Sequence, residues 1–201
     1  MPTLLHVGCG QKRKDRTTPG FQDASWQEVR LDIDPDVNPD IVGTMTDMSG
    51  VADASVDALY SSHNIEHLYA YEVEIALKEF ARVVRPEGFV VITCPDIQSI
   101  AALVAQGKLV EPAYTSPAGP ISPIDMLFGL RSALARGNHY MAHRCGFTLK
   151  VLMGTMKVCG FTNVVGMARP SAYELWVVGS KTLEEPALRV LATEHFPGRP
   201  S

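Results

Sequence analysis

The chain has 201 residues, 46% of them hydrophobic, and a formal net charge of -4. That length supports one well-packed core and is short for two domains. The acidic balance argues against nucleic acid as a partner, since a sequence-independent grip on phosphates needs a basic face. No apolar run approaches the ~20 residues that span a bilayer, and the start of the chain soon runs into glycines and charged residues instead of an apolar leader with a cleavage site, so the reading is a cytoplasmic chain with no membrane partner.

Residues 3–7 (Thr-Leu-Leu-His-Val) have the composition of a short buried strand, and Gly8-Cys9-Gly10 closes it with a tight turn. Residues 28–34 form a second strand candidate that ends in acid, at Asp32 and Asp34. Glycines without a Cβ let backbone N–H groups approach a ligand, and a carboxylate at the end of the next parallel strand can accept ribose hydroxyls. The separation between turn and acid is close to the ~20 residues of a strand-turn-strand unit, so the two outline a nucleoside-cofactor pocket.

Residues 40–42 give a short third strand and residues 56–62 a fourth. Val73, Ala76, Leu77, Phe80, Val83 and Val84 recur at helical spacing with charge on the other face, and Pro86 ends that helix near Arg85. Residues 89–94 are a continuous apolar run, as in a central strand covered on both faces. Asp96 can cap a helix that Gly107 terminates. From 108 to 145 the pattern changes, with Pro112, Pro117, Gly119, Pro120 and Pro123 interrupting any regular element, which predicts an insertion or lid, with one short helix from Ser122-Pro123 to Leu134. Residues 148–159 read as a helix closed by Gly160, and residues 161–168 and 173–180 as an antiparallel pair. The expected layout is an α/β, doubly wound, mostly parallel sheet in one domain over 1–182, followed by a loosely ordered tail over 183–201. Cys9, Cys94, Cys145 and Cys159 form no CxxC pair and are expected as free thiols.

With these residues in order, the sequence resembles the class I S-adenosylmethionine-dependent methyltransferases, and among them the small bacterial type 11 kind. The matching pieces are HVGCG at 6–10, RLDIDP at 30–35, PDIVGTMTDM at 39–48, VDALYSSHNIEHL at 56–68 and LKEFARVVRPEGFVVITCPD at 77–96. The resemblance implies a Rossmann-like seven-stranded sheet whose last strand is antiparallel, and S-adenosylmethionine as cofactor. It implies cofactor contacts at His6, Val7, Gly8, Cys9 and Gly10, ribose binding at Asp32, and further contacts at Ile33, Met45, Thr46, Asp47, Ser62 and His63. Asp47 would accept the adenine amino group. His6 stands where an acid often opens the first motif, Lys12 where a third glycine is common, and Thr44 where aspartate is frequent.

Asp34 competes with Asp32 for the ribose, because alternation puts both on one face of the strand. His63, beside the expected position of the methyl group, is the candidate general base, with shaping of the pocket by hydrogen bonding as the alternative. His139, Tyr140 and His143 follow the insertion, where segments cover the carboxyl ends of the strands, and are candidates for binding a small-molecule acceptor. Arg131, Arg136 and Arg144 read as solvated surface before they read as anion ligands.

Residues 63–67 also spell HxxEH, the pattern of an inverted zinc-protease helix. That reading needs a helix, whereas the motif directly follows a strand, so no metal is expected. A nicotinamide-dependent oxidoreductase is the runner-up, disfavoured by the missing third glycine and the terminal antiparallel pair. A non-catalytic protein that binds S-adenosylmethionine is the third reading.

Overall fold

In the computed structural model, described here over residues 1–198, one seven-stranded sheet organises the chain. In chain order the elements are β1 (Thr3–Val7), α1 (Pro19–Gln22), β2 (Gln27–Asp32), β3 (Ile41–Val42), β4 (Val56–Ser62), α2 (Val73–Val83), β5 (Val84–Pro95) and α3 (Ile97–Ala105). The insertion supplies β6 (Tyr114–Ser116), β7 (Gly119–Ile121), α4 (Pro123–Phe128) and α5 (Arg131–Leu134). Then follow α6 (Leu149–Val158), β8 (Asn163–Arg169), β9 (Glu174–Ser180) and α7 (Glu185–His195). The sheet order is β3-β2-β1-β4-β5-β9-β8, parallel from β3 to β5, with β9 antiparallel to both β5 and β8. This is the class I methyltransferase arrangement expected above, with its last strand antiparallel.

Strand alternation assigns the two faces. Leu5, Val7, Leu59, Val90 and Ile92 point to the face covered by α2 and α6, where Leu77, Phe80, Leu152 and Met156 complete the core. Their neighbours Leu4, Ala58, Tyr60, Phe89 and Val91 point to the other face, against Phe21 of α1 and Leu188 of α7. A strand buried on both sides has no polar face to show, which is why residues 89–94 read as an unbroken apolar run.

Three sequence expectations change. The strand expected over 89–94 begins earlier, at Val84, and the stretch around Pro86 is a bulge inside it: Val84 pairs with Val56, and the register then jumps to Phe89 against Ala58. The segment after 182 is not a loose tail within the described residues. Glu185–His195 is helical, with Leu188 and His195 buried, because the α1 side of the sheet would otherwise expose Tyr60, Phe89 and Trp176. Residues 199–201 of that expected tail lie outside the described residues. The single helix expected from 123 to 134 is two, broken at Gly129, whose φ of 97 is the positive region glycine tolerates. Among the described residues no helix is long and apolar enough to cross a membrane.

Candidate functional site

The chain leaves β1 toward β2 on one side and returns to β4 on the other, so the carboxyl ends of β1 and β4 diverge at a topological switch point. A cavity of about 460 Å³ opens there, walled by the loops after β1, β2 and β4, by Thr44, Met45 and Thr46, and by Asn138, Tyr140, Met141 and Arg144 from the insertion. Its volume falls within the range of pockets that hold small ligands, roughly 300–1,000 Å³.

The loop after β1 is held by glycine geometry. Gly8 has φ +64, donates its amide to the carbonyl of Leu31 at 2.8 Å, and lies so close to the loop after β4 that a Cβ would fall 2.1 Å from Nδ2 of Asn64. Gly10 donates its amide to Oδ2 of Asp32 at 2.7 Å, while Oδ1 of the same carboxylate accepts from Asp34 N at 3.0 Å. Arg30, nearly buried in β2, reinforces this: its guanidinium donates to the carbonyls of Asn38 (2.7 Å), Gly10 (2.5 Å), Lys12 (3.2 Å) and Val37 (3.2 Å). A charged side chain in the middle of a strand gave no sequence signal for this role. Asp34 lies past the end of β2 and caps the turn Pro35–Val37 by accepting from Asp36 N at 3.0 Å.

Of the residues expected at the cofactor, Val7, Gly8, Gly10, Asp32, Ile33, Met45, Thr46 and His63 line the cavity, as does Tyr140 from the acceptor group and the competing Asp34. Others do not. His6 is 2% exposed on the opposite sheet face, its Nδ1 at 2.9 Å from Oε1 of Glu28 and its ring 5.4 Å from that of Tyr60. Period-two alternation decides this, since Val7 faces the cavity side and His6 must face away. Cys9 is buried behind the turn, and that burial pushes its thiol up to about 11. Asp47 is exposed, with Oδ1 turned back to Ser49 N (3.1 Å), and borders a separate shallow depression with Glu79 and Arg82. Ser62, at the end of β4, and His139, exposed on the insertion, are not at the wall. His143 lies behind it: Nδ1 donates to the carbonyl of Met126 at 2.8 Å and Nε2 is 4.0 Å from Oε1 of Glu66. Asn64, His67 and Met141 also line the cavity without having been singled out for it, as does Arg144, read first as solvated surface. Arg131 is bound to Asp125 (Nε to Oδ1, 2.7 Å), as a surface residue would be, but Arg144 faces the cavity with its guanidinium 4.8 Å from the ring centre of Tyr69.

The segment after β4 is not a helix. His63 has φ 48, in the left-handed region that costs a non-glycine residue on the order of 1 kcal/mol, and a single 3-10 turn, Ile65–His67, follows. The strain aims the His63 imidazole, 51% exposed, at the cavity, with Nδ1 3.6 Å from Oε1 of Glu66 and Nε2 3.9 Å from Oε2 of Glu174. Desolvation alone would lower its pKa, but the pairing with Glu174 and Glu66 outweighs it and carries the pKa up to about 9. The pairing favours the protonated ring, which weighs toward the shaping role.

Residues 5–92 match the family model described as a methyltransferase domain. No curated protein matches the chain. Among solved structures, the chain is similar to an S-adenosylmethionine-dependent methyltransferase of Thermotoga maritima described as a possible histamine N-methyltransferase, at 15% identity over 90% of this chain and 83% of that one, with a TM-score of 0.57. It is also similar to the 1,6-didemethyltoxoflavin N1-methyltransferase of Burkholderia thailandensis, solved with that substrate and S-adenosylhomocysteine, at 14% identity over 90% and 72% of the two chains, with a TM-score of 0.55. At such identities the structural likeness carries the fold alone, and the family match covers less than half of the chain, from β1 into β5. Together they show the class I methyltransferase fold, with the segment from β1 into β5 similar to the methyltransferase domain family.

Proposed function

We propose that the protein transfers a methyl group from S-adenosylmethionine to an oxygen or nitrogen of a small molecule. The observation that carries this reading is the bond between Gly10 N–H and the Asp32 carboxylate, which joins the two cofactor-side loops into one cradle on a cavity wall. The residues present fit the cofactor. Gly8 leaves no room for a side chain of its own, Asp32 and Asp34 offer carboxylates for ribose hydroxyls, and Leu31, Val37 and Met45 form an apolar slot suited to a purine.

When bound, S-adenosylmethionine supplies a methyl group already activated by its sulfonium. The chain's own task is then alignment, since a near-attack arrangement of acceptor and methyl group supplies most of what the reaction needs. His63 and Asn64, at the carboxyl end of β4, shape the wall between the cofactor loops and the insertion, and Tyr140, Met141 and Arg144 close the acceptor side. The two neighbours named above are described as acting on small nitrogenous molecules, which keeps nitrogen acceptors in view.

Thermal denaturation with S-adenosylmethionine, S-adenosylhomocysteine and NAD in parallel tests the reading. A ligand at 100 times its dissociation constant adds about 2.7 kcal/mol, or roughly 5–10 °C for a chain of this size. The first two should produce that shift and NAD none; a shift with NAD alone would overturn the assignment. Transfer of label from methyl-labelled cofactor into a small-molecule extract separates an enzyme from a non-catalytic binder.

A further inference from the structure

Behind the cavity wall, the turn after β4 and the end of the insertion bring a carboxylate and imidazoles together. Ligand-capable atoms of Glu66, His67 and His143 all lie within 4.8 Å of one another. Glu66 is 1% exposed, and neither of its carboxylate oxygens has a hydrogen-bond partner among the described residues. Nδ1 of His63 stands at 3.6 Å and Nε2 of His143 at 4.0 Å from Oε1, both beyond hydrogen-bond reach. The His63 imidazole, shared with Glu174, offsets the charge of this carboxylate in part, but both oxygens stay without a hydrogen bond, and a buried polar atom left so is costly unless a coordinating group completes it.

His143 is held as a metal ligand is held. Nδ1 of His143 faces the carbonyl of Met126 at 2.8 Å; a carbonyl only accepts, so Nδ1 carries the proton and Nε2 points at Glu66. His67 has backbone oxygens at both nitrogens, Ala142 O at 3.0 Å from Nδ1 and His63 O at 3.2 Å from Nε2. A neutral imidazole donates to one of them and keeps a lone pair on its other nitrogen, which is the atom open to a cation. Orientation of one ring nitrogen by a backbone carbonyl, leaving the other for the ion, is the usual support of a metal-binding histidine.

We propose that Glu66, His67 and His143 bind one divalent transition-metal ion, zinc by preference, behind the cavity wall formed by His63 and His67. Two imidazoles and one carboxylate suit zinc and its first-row neighbours, whereas magnesium and calcium take oxygen ligands. Zinc ligands sit roughly 2.0–2.2 Å from the ion, so the three groups close on it by less than the width of an atom. The arrangement is not the HxxEH helix. His63 leaves the set to face the cavity, Glu66 becomes a ligand, and the third ligand comes from the insertion. The ion would therefore fasten the acceptor-side insertion to the strand that carries the cofactor wall.

The test uses the whole, tag-free protein, freed of metal with a chelator and titrated calorimetrically with zinc and with magnesium in the absence of cofactor. The expected result is one equivalent of zinc, held roughly 100-fold or more tighter than magnesium, with cobalt in its place giving a visible absorption band. His143→Ala and Glu66→Gln should each abolish that stoichiometric uptake, and zinc should protect residues 108–145 from protease only in the wild type. Far-UV circular dichroism checks folding, and if Glu66→Gln fails to fold, His143→Ala on the insertion carries the result. No zinc uptake by the folded protein, or uptake unchanged in His143→Ala, overturns the proposal. Because no cofactor is present, neither outcome touches the methyl-transfer reading, which stands or falls on the ligand shifts above.

Discussion

Oδ2 of Asp32 accepts the amide of Gly10 at 2.7 Å while Oδ1 of the same carboxylate accepts that of Asp34 at 3.0 Å, so one side chain at the end of β2 sets two loops of the cavity. Removing it leaves two backbone donors without their partner, at a cost of about 1–3 kcal/mol. Asp32→Ala should lower the affinity for S-adenosylhomocysteine roughly 10- to 100-fold and reduce Tm by several degrees, with Asp32→Asn between variant and wild type. Calorimetry would count against the cradle if Tm fell while affinity stayed at the wild-type value.

Gly8 and Gly10 share positive φ but not surroundings. A Cβ on Gly8 would collide with Asn64, whose Nδ2 lies 3.1 Å from Sδ of Met45, so the strain passes to two residues of the cavity wall. A Cβ on Gly10 meets nothing within 4 Å. Gly8→Ala should therefore eliminate measurable cofactor binding, whereas Gly10→Ala, which pays only for its backbone conformation, roughly 1 kcal/mol, should weaken it less than tenfold. Equal losses in the two variants would show that backbone strain, not the contact with Asn64, controls the site.

The strands and the cofactor-side loops were legible because period two and the glycine turn are local signals. His6 was misplaced by proximity to that turn, although the same alternation that identifies β1 turns its ring to the opposite face, onto Glu28. Asp47 was misplaced because a loop has no period from which a side-chain direction follows. Helix α7 went unread because its sequence is polar on most of its surface; what orders it is the apolar sheet face it covers, and that face exists only once β4, β5 and β9 are assembled. The meeting of Glu66 with His143 is likewise a product of tertiary structure, since Arg144 N and Cys145 N both bond to the Glu66 carbonyl across the fold.

Arg30 ties four carbonyls on both sides of the cradle, a task that its planar fork performs and an ammonium cannot. Arg30→Lys keeps the charge and loses most of the bonds, each worth about 1.5–3 kcal/mol when charge-assisted. The expected outcome is a fall in Tm of roughly 5–15 °C together with weaker cofactor binding. Thermal denaturation with and without S-adenosylhomocysteine measures both, and a variant as stable as wild type would remove Arg30 from the account.

Asp125 is the anchor of the insertion. It caps α4 by accepting from Ser122 N (3.1 Å) and Ser122 Oγ (2.5 Å), and its other oxygen accepts from Arg131 Nε (2.7 Å), which with Ser122 holds its carboxyl well below the usual carboxylate range. Asp125→Ala loses the cap, about 1–2 kcal/mol, within a segment that the sheet does not need. Proteolysis within 108–145 should accelerate and KM for the acceptor should rise, while affinity for S-adenosylhomocysteine stays near wild type. A matching loss of cofactor affinity would mean that the insertion and the cradle form one cooperative unit.

His195 closes the far side of the sheet, and its burial makes α7 sensitive to acid. Its Nδ1 lies 2.6 Å from Oγ1 of Thr18 and its ring 4.2 Å from that of Phe21, and desolvation lowers its pKa from 6.5 to about 4. With the folded pKa depressed, the stabilisation is complete above pH 6.5. Below that the unfolded chain takes up a proton that the folded chain refuses until about pH 4, so stability falls across this interval by roughly 3 kcal/mol. His6 and His143, also lowered by burial, titrate in the same direction, so the contribution of His195 is read as a difference. His195→Phe lacks the titrating group but keeps the aromatic packing, and its Tm should fall less steeply than that of the wild type as pH drops from 6.5 to 4. Parallel slopes would mean that the imidazole ionises where it sits, and that α7 is not sealed onto the sheet.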